Sequence, residues 1–372
     1  MQDMLRWYTA GEAHGAALVA VLEGMPFGLP VDVTQIDEQL RRRRVPYGRG
    51  PRMRERSERA TILAGVCEGK AIGSPIALLV EEDGSPRGRE VRPFTVPRPG
   101  HADLAGALKY GTKRVDLVWE RASARETAAR VAAGAVCRGL LESLGVGLAS
   151  YTTSVGPLRY EGGGEGETVP DPADDGARCP DSDLDARMRV AIDEAHASGD
   201  SLGGRCRAVA RGLPPGLGNF AQWHQRLDTR IAAAMMSIPA VKGVLIGCAE
   251  LAAERAGSEV HDPIVPASGG GFERAGNRTG GLEGGLTTGG PLVVELLVKP
   301  VPTLGEPLAS VDLESGEAAP APALRADVCV VPVVGIIAEA MLALELTRSL
   351  LEQFGGGSWD ELQERVEQYR RR

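Results

Sequence analysis

The stretch SARETAARVAAGAVC, residues 123–137, decides how this chain must fold. Ser123 with Glu126 three residues on has the form of a capping box, which starts a helix and leaves its first backbone N–H groups available to an anion. Val131, Ala132, Ala135 and Val136 recur at helical spacing, so the helix turns an apolar face to a core, and Gly134 lets another backbone approach closely. A helix is expected over 124–144, stopped by Gly145. Arg121 and Arg125 flank the cap, and upstream RPGHAD at 98–103 sets His101 on a Pro/Gly-rich loop. Loops of this kind carry function disproportionately, and a phosphate would suit the helix end.

Working outward, 16–22 reads as a strand, and Thr34 with Glu38 nearby opens an amphipathic helix that ends in an arginine run. Residues 60–66 and 75–80 are two apolar segments separated by Gly69 and Gly73, an expected antiparallel pair. The second half reads as strands at 205–212, 241–246 and 292–298, with helices at 225–236 and 335–354. From 156 to 185 Gly, Pro, Asp and Glu dominate without periodicity, which implies a surface insertion within one domain spanning 1–372. Hairpin-linked strands without regular crossover helices argue for an α+β fold of antiparallel sheets packed on helices. No Gly-x-Gly-x-x-Gly follows a strand in the required context, so a Rossmann site is not expected.

Composition bounds the function. The 372 residues are 43% hydrophobic and 25% charged, enough for a sizeable core. The formal net charge of −8 argues against a general binder of nucleic acid or acidic membrane, so local basic clusters are read as sites. Six scattered cysteines (67, 137, 179, 206, 248 and 329) form no Cys-x-x-Cys pair, which indicates neither a metal framework nor a disulfide scaffold and fits a reducing cytoplasm. Met1 to His14 has no leader pattern, and no apolar run reaches membrane-spanning length, so a soluble, untargeted chain is expected. Aromatics are only 4%, so stacking on aromatic platforms is not the expected binding mode.

Three constellations carry the chemistry. Gly11-Glu12-Ala13-His14-Gly15 sets one of only five histidines between glycines, and His14 and His101 each have an acidic neighbour in sequence. Arginines 41–44, 49, 52, 54, 56 and 59 occur without a lysine among them, and their planar forks suit a small ligand bearing phosphate and carboxylates. The glycine-rich run at 277–289, followed by Lys-Pro-Val-Pro-Thr at 299–303, could cradle a second phosphate.

Together these segments resemble the chorismate synthase family over nearly the whole chain. The resemblance rests on GEAHG at 11–15, the arginine-rich turn at 41–49, IGSPIA at 72–77, RPGHAD at 98–103 and Lys109-Tyr110. Residues 123–134, DSLGG at 200–204, the run at 277–289, KPVPT at 299–303 and Arg325-Ala326-Asp327 complete it. It implies a β-α-β sandwich of antiparallel sheets around a helical layer, assembled as a homotetramer. The reaction it implies is the anti 1,4-elimination of phosphate from 5-enolpyruvylshikimate 3-phosphate to give chorismate. The implied cofactor is reduced FMN, with NADPH as an indirect reductant and an external flavin reductase as a partner. The hydrogen lost at C6 is not acidic, and a reduced flavin answers that by lending electron density and recovering it.

By the same resemblance His14 protonates the departing phosphate, His101 stabilises or protonates the reduced flavin, and Asp327 helps remove the proton from flavin N5. Arg43, Arg49 and Arg125 would clamp the substrate. Arg121, Ala122, Ser123, Pro239, Ala240, Gly284, Lys299, Pro300, Val301, Pro302, Thr303 and Arg325 would hold FMN. The chain departs from the family's pattern at Ala13 and Ala122, where serine is usual, at Pro239 in place of asparagine, and in the order of Lys113-Arg114-Val115-Asp116. A diverged paralogue that binds flavin and a phosphorylated ligand is the alternative reading. A nucleic-acid module built on arginines 41–59 is opposed by the overall acidity.

Overall fold

Alternation of core-facing and outward residues builds the first sheet in the computed structural model, which describes residues 5–50, 53, 57–82, 93–163, 172–267, 269, 271–323, 327–355 and 357–371. Its strands are β1 (Arg6–Ala10), β2 (Leu18–Glu23), β3 (Glu58–Ala64) and β4 (Ile76–Glu82), in the antiparallel order β1-β2-β4-β3. Leu18 and Leu22 of β2 point inward and pair with Val80 and Ile76 of β4, so the inward face of these two strands is apolar. The second sheet has five antiparallel strands: β5 (Gly147–Val155), β6 (Leu158–Arg159), β7 (Gly204–Arg211), β8 (Val241–Ile246) and β9 (Leu292–Val298), in the order β8-β9-β7-β5-β6. Its inner strand β9, between β8 and β7, is buried along almost all its length.

A helical layer fills the space between. The principal helices are α1 (Val33–Arg44), α2 (Asp103–Tyr110), α3 (Val115–Ala122), α4 (Thr127–Ser143), α5 (Ser182–Ala197), α6 (Leu227–Met236), α7 (Val331–Phe354) and α8 (Trp359–Arg370). Helix α4 packs on the first sheet, α7 on the second, and the two pack on each other. Both are buried on nearly every side, which explains α7's apolar sequence all round its axis. Their axes come close at Gly134, where an added Cβ would lie 2.6 Å from the Ala340 Cβ and 2.7 Å from its carbonyl oxygen. The α+β class and the sandwich of antiparallel sheets around helices are as expected.

Several local expectations are corrected. The Ser123–Glu126 capping box does not close: Ser123 Oγ accepts from the Arg125 N–H at 3.4 Å, and Glu126 turns instead to Arg130. Residues 124–126 form a 3₁₀ turn, and α4 proper starts at Thr127. The helix opened at Thr34 is capped by Asp32, whose carboxylate accepts the Thr34 N–H at 2.8 Å. The surface insertion at 156–185 is part core, since Ala177, Arg178 and Cys179 are buried and α5 begins at Ser182. Its charged spacing hid an amphipathic helix whose buried face is only Met188, Ile192 and Ala195.

Gly134→Ala tests the helix contact. Alanine is the better helix former by about 1 kcal/mol, yet the methyl group meets backbone that cannot yield. Denaturant unfolding is expected to show a loss of about 1–3 kcal/mol, as for overpacked cores.

Candidate active site

Gly48 brings two distant segments together. Its φ is +89°, and a Cβ there would lie 2.7 Å from the Cys329 carbonyl oxygen, so glycine lets the 48–50 turn rest against 327–329. The Val328 N–H donates to the Gly48 carbonyl at 2.8 Å, and the Gly50 N–H donates to Asp327 Oδ1 at 2.7 Å. Arg49 then lies with Nη1 2.5 Å from Asp327 Oδ2. Arg43, in the last turn of α1, donates from Nε to Thr127 Oγ1 at 3.0 Å, from Nη1 to Glu58 at 3.0 Å and from Nη2 to the Ala124 carbonyl at 3.1 Å. Burial pulls its guanidinium below the ordinary pKa, with Glu58 opposing and Arg49 reinforcing.

The 98–103 loop supplies the next group. Arg98 donates from Nε to Asp103 Oδ2 at 2.8 Å, from Nη1 to Thr303 Oγ1 at 3.3 Å, and its guanidinium lies 4.2 Å from the centre of the Trp119 ring. Asp103 also holds His101 through Nδ1. Burial pushes the Asp103 carboxyl up, but hydrogen bonds from His101 and Arg98 outweigh it and bring the pKa down to about 2. Lys299 Nζ donates to the Gly100 carbonyl, and partial burial, with Lys242 adding repulsion, lowers its pKa. Ala240 adopts φ +74°, a left-handed backbone uncommon outside glycine, and its carbonyl accepts the Lys299 N–H at 2.9 Å.

These parts line one cavity of about 310 Å³, at the lower end of the range for small-molecule sites. Of the residues expected at a site, it gathers Arg43, Arg49, His101, Ala122, Ser123, Pro239, Ala240, Lys299, Val301, Pro302, Thr303 and Asp327. Pro300 packs beside the Gly203 backbone. Gly284 does not line the cavity: with Gly285 it makes the two-residue turn of the hairpin 282–287, both at positive φ. Arg325 lies outside the described residues, as do arginines 52, 54 and 56.

His14 sits beside this cavity, behind Trp119, with the two rings edge to face at 5.7 Å. Glu120 grips it twice, accepting the backbone N–H at 2.8 Å on Oε2 and lying 2.6 Å from Nδ1 through Oε1. Arg125 donates to the Ala13 carbonyl at 2.6 Å, and Arg121 donates to Thr9 and Gly11, so α3 and the turn after it staple the 9–15 loop in place. The acid that serves His14 is therefore Glu120 and not its sequence neighbour Glu12. Sequence reasoning passed over Trp119 and Glu58, quoted Arg98 only as part of a motif, and noted Asp103 only as the acidic neighbour of His101. The His-x-Asp spacing at 101–103 was a usable signal for Asp103, whereas nothing local marks Glu120.

Buried arginines suit a small anion and carboxylate-held imidazoles suit proton transfer, the arrangement of an enzyme acting on a small anionic ligand. Comparison with known proteins narrows the class. A family model described as chorismate synthase matches residues 5–351. The chain is 47% identical over 377 residues to the chorismate synthase of Leifsonia xyli subsp. xyli, covering 95% of this chain and 93% of that protein. It is 44% identical to that of Aquifex aeolicus, covering 98% and 97%. A solved structure described as a crystal structure of chorismate synthase aligns with TM-score 0.79 at 39% identity, covering 98% of this chain and 97% of the other. This chain belongs to the chorismate synthase family, whose members are lyases.

Asp103→Asn is expected to lower turnover roughly 10- to 100-fold, the usual cost of losing a histidine's orienting partner. It also changes acid stability. The folded carboxyl is held down to about 2, below its ordinary 3.8, so its stabilisation is present above about pH 4 and lost as pH falls through 2. Unfolding curves between these limits should be flatter for the variant than for the parent.

Proposed function

We propose that this chain converts 5-enolpyruvylshikimate 3-phosphate to chorismate and phosphate by anti 1,4-elimination, with reduced FMN as cofactor. The observation that carries the reading is the arginine pair, Arg43 and Arg49, buried at one end of the cavity that also holds His101 and Asp327. A substrate with one phosphate and two carboxylates needs such charge-assisted donors. Arg49 Nε is buried without a hydrogen-bond partner among the described residues, as suits a site that receives an anion.

The lining also fits a flavin phosphate and ring. Gly100, Ala122 and Ala240 leave space, and Ser123, Lys299 and Thr303 supply donors, so these residues with Pro239, Val301 and Pro302 would hold FMN. When bound, reduced FMN supplies electron density as phosphate leaves and regains it as the C6 hydrogen departs, with no net redox change. The chain handles the protons. His14, engaged at Nδ1 by Glu120, has Nε2 left to donate to the departing phosphate. His101 is fixed by Asp103 on the cavity wall, and Asp327 takes up the proton lost from the substrate. NADPH acting through an external flavin reductase, a cytoplasmic location and a homotetramer complete the reading. Exposed Tyr8, Phe220, Trp223 and Phe272 offer apolar surface for assembly. Among the described residues no helix is long and apolar enough to cross a membrane.

Anaerobic incubation with reduced FMN and 5-enolpyruvylshikimate 3-phosphate, read by chorismate absorbance, tests the proposal. His14→Ala and His101→Ala should each lose roughly 10²–10⁴-fold in rate, and only His101→Ala should also disturb reduced-flavin affinity. Near-normal turnover in both variants would sink these roles.

A further inference from the structure

The cavity's arginines are already paired with carboxylates of the protein. Arg43 faces Glu58, Arg98 faces Asp103, and Arg49 faces Asp327, each within 3.0 Å. Lys299 is directed to the Gly100 carbonyl, also in the lining. Arg43 and Arg98 are further tied by neutral partners, Thr127 with the Ala124 carbonyl and Thr303. All three side chains are buried, but only Arg49 has an Nε that carries no partner among the described residues. It is the guanidinium with a donor to give.

Asp327 depends on that guanidinium. One carboxylate oxygen meets Arg49 Nη1 and the other accepts the Gly50 N–H. The backbone around the pair is pinned by Gly48 against Cys329 and by the Val328–Gly48 hydrogen bond, so the side chains, not the loops, are what can rearrange. A substrate anion arriving at Arg49 would place two anions on one positive charge. Like charges that share a counter-ion weaken each other's hold on it.

Resting on the proposed reaction, we infer that Arg49 and Asp327 form a latch released by substrate. The guanidinium that receives the substrate's anionic group also holds the catalytic carboxylate, so substrate entry loosens Asp327 for proton transfer. The coupling is reciprocal: whatever Asp327 loses when substrate binds, substrate affinity has lost to Asp327. Removing the carboxylate must then tighten substrate binding while it slows turnover. That pairing of effects is unlike the loss of an ordinary site residue, which weakens both.

The test is equilibrium titration of the full chain, carrying oxidised FMN, with 5-enolpyruvylshikimate 3-phosphate up to the millimolar range. Parent, Asp327→Asn, Arg49→Met and the double variant complete a cycle. Asparagine keeps an acceptor for the Gly50 N–H, and FMN binding with thermal unfolding reports that each variant is folded; Asp327→Ser serves as a second neutral replacement. Asp327→Asn should tighten substrate at least about fivefold, the low end of coupled sites, and lower KM together with kcat. In the Arg49→Met background the same change should alter affinity less than about twofold. Unchanged or weaker binding by Asp327→Asn overturns the latch. Equal tightening in both backgrounds also overturns it, because the carboxylate then acts as a diffuse negative field. If the parent chain binds no substrate, the proposed function fails and the latch with it.

Discussion

Glu339 is the side chain on which three helices and the second sheet converge. It lies in the middle of α7, 2% exposed, and both oxygens are engaged. Arg42 of α1 donates to them at 2.7 and 3.2 Å, Arg138 of α4 at 2.5 Å, and Ser150 Oγ of β5 at 2.6 Å. Arg178 approaches to 3.8 Å from a backbone held at φ +62°. Burial pushes the Glu339 carboxyl up, and the arginines more than reverse it, so the group stays ionised. A buried cluster of this kind is a weak source of net stability, but removing one member strands the others, at about 3–5 kcal/mol. What it secures is register: α1 and α4 sit on α7 in the one arrangement that joins all these groups.

That register divides the arginine run. Successive residues on a helix point about 100° apart, so neighbours in sequence meet different partners. Arg41 reaches outward to Glu38 and Asp174, Arg42 goes to the Glu339 cluster, and Arg43 enters the cavity. The run is therefore neither a solvated face nor a uniform cradle for ligand. One turn of helix carries a surface pair, a core anchor and a site residue, and the anchor sets where the site residue lands.

Legibility followed how local the cause was. The strand at 292–298 and the end of α4 at Gly145 were readable because an apolar run and a left-handed glycine are complete signals in themselves. Strand β1, RWYTA, has no fully buried position, and α3 buries only Val115 and Asp116, so neither element shows an apolar pattern strong enough to announce it. The histidines and the arginine run stood out by their settings, but their individual roles, and Asp327 as a site residue, were reached only through family resemblance. Glu120 was beyond both routes. It stands 106 residues from His14, and only the docking of α3 against the 9–15 loop makes it that histidine's partner.

At Ala13 and Pro239, the departures that the resemblance implies, main-chain contacts carry the local structure. Ala13 is 5% exposed, but its polar work is done by the backbone: its N–H donates to the Glu120 carbonyl at 2.8 Å and its carbonyl accepts from Arg125. A serine hydroxyl there would need a further partner, whereas alanine leaves nothing unsatisfied. Pro239 likewise lacks an N–H and fixes its own φ, directly before Ala240, whose left-handed backbone presents its carbonyl to the Lys299 N–H. At both places main-chain geometry, held by packing and by arginines, takes over positions where the family pattern has a polar side chain. The cavity can thus keep its shape with fewer hydroxyl and amide groups, because its walls are set by which backbones are brought together.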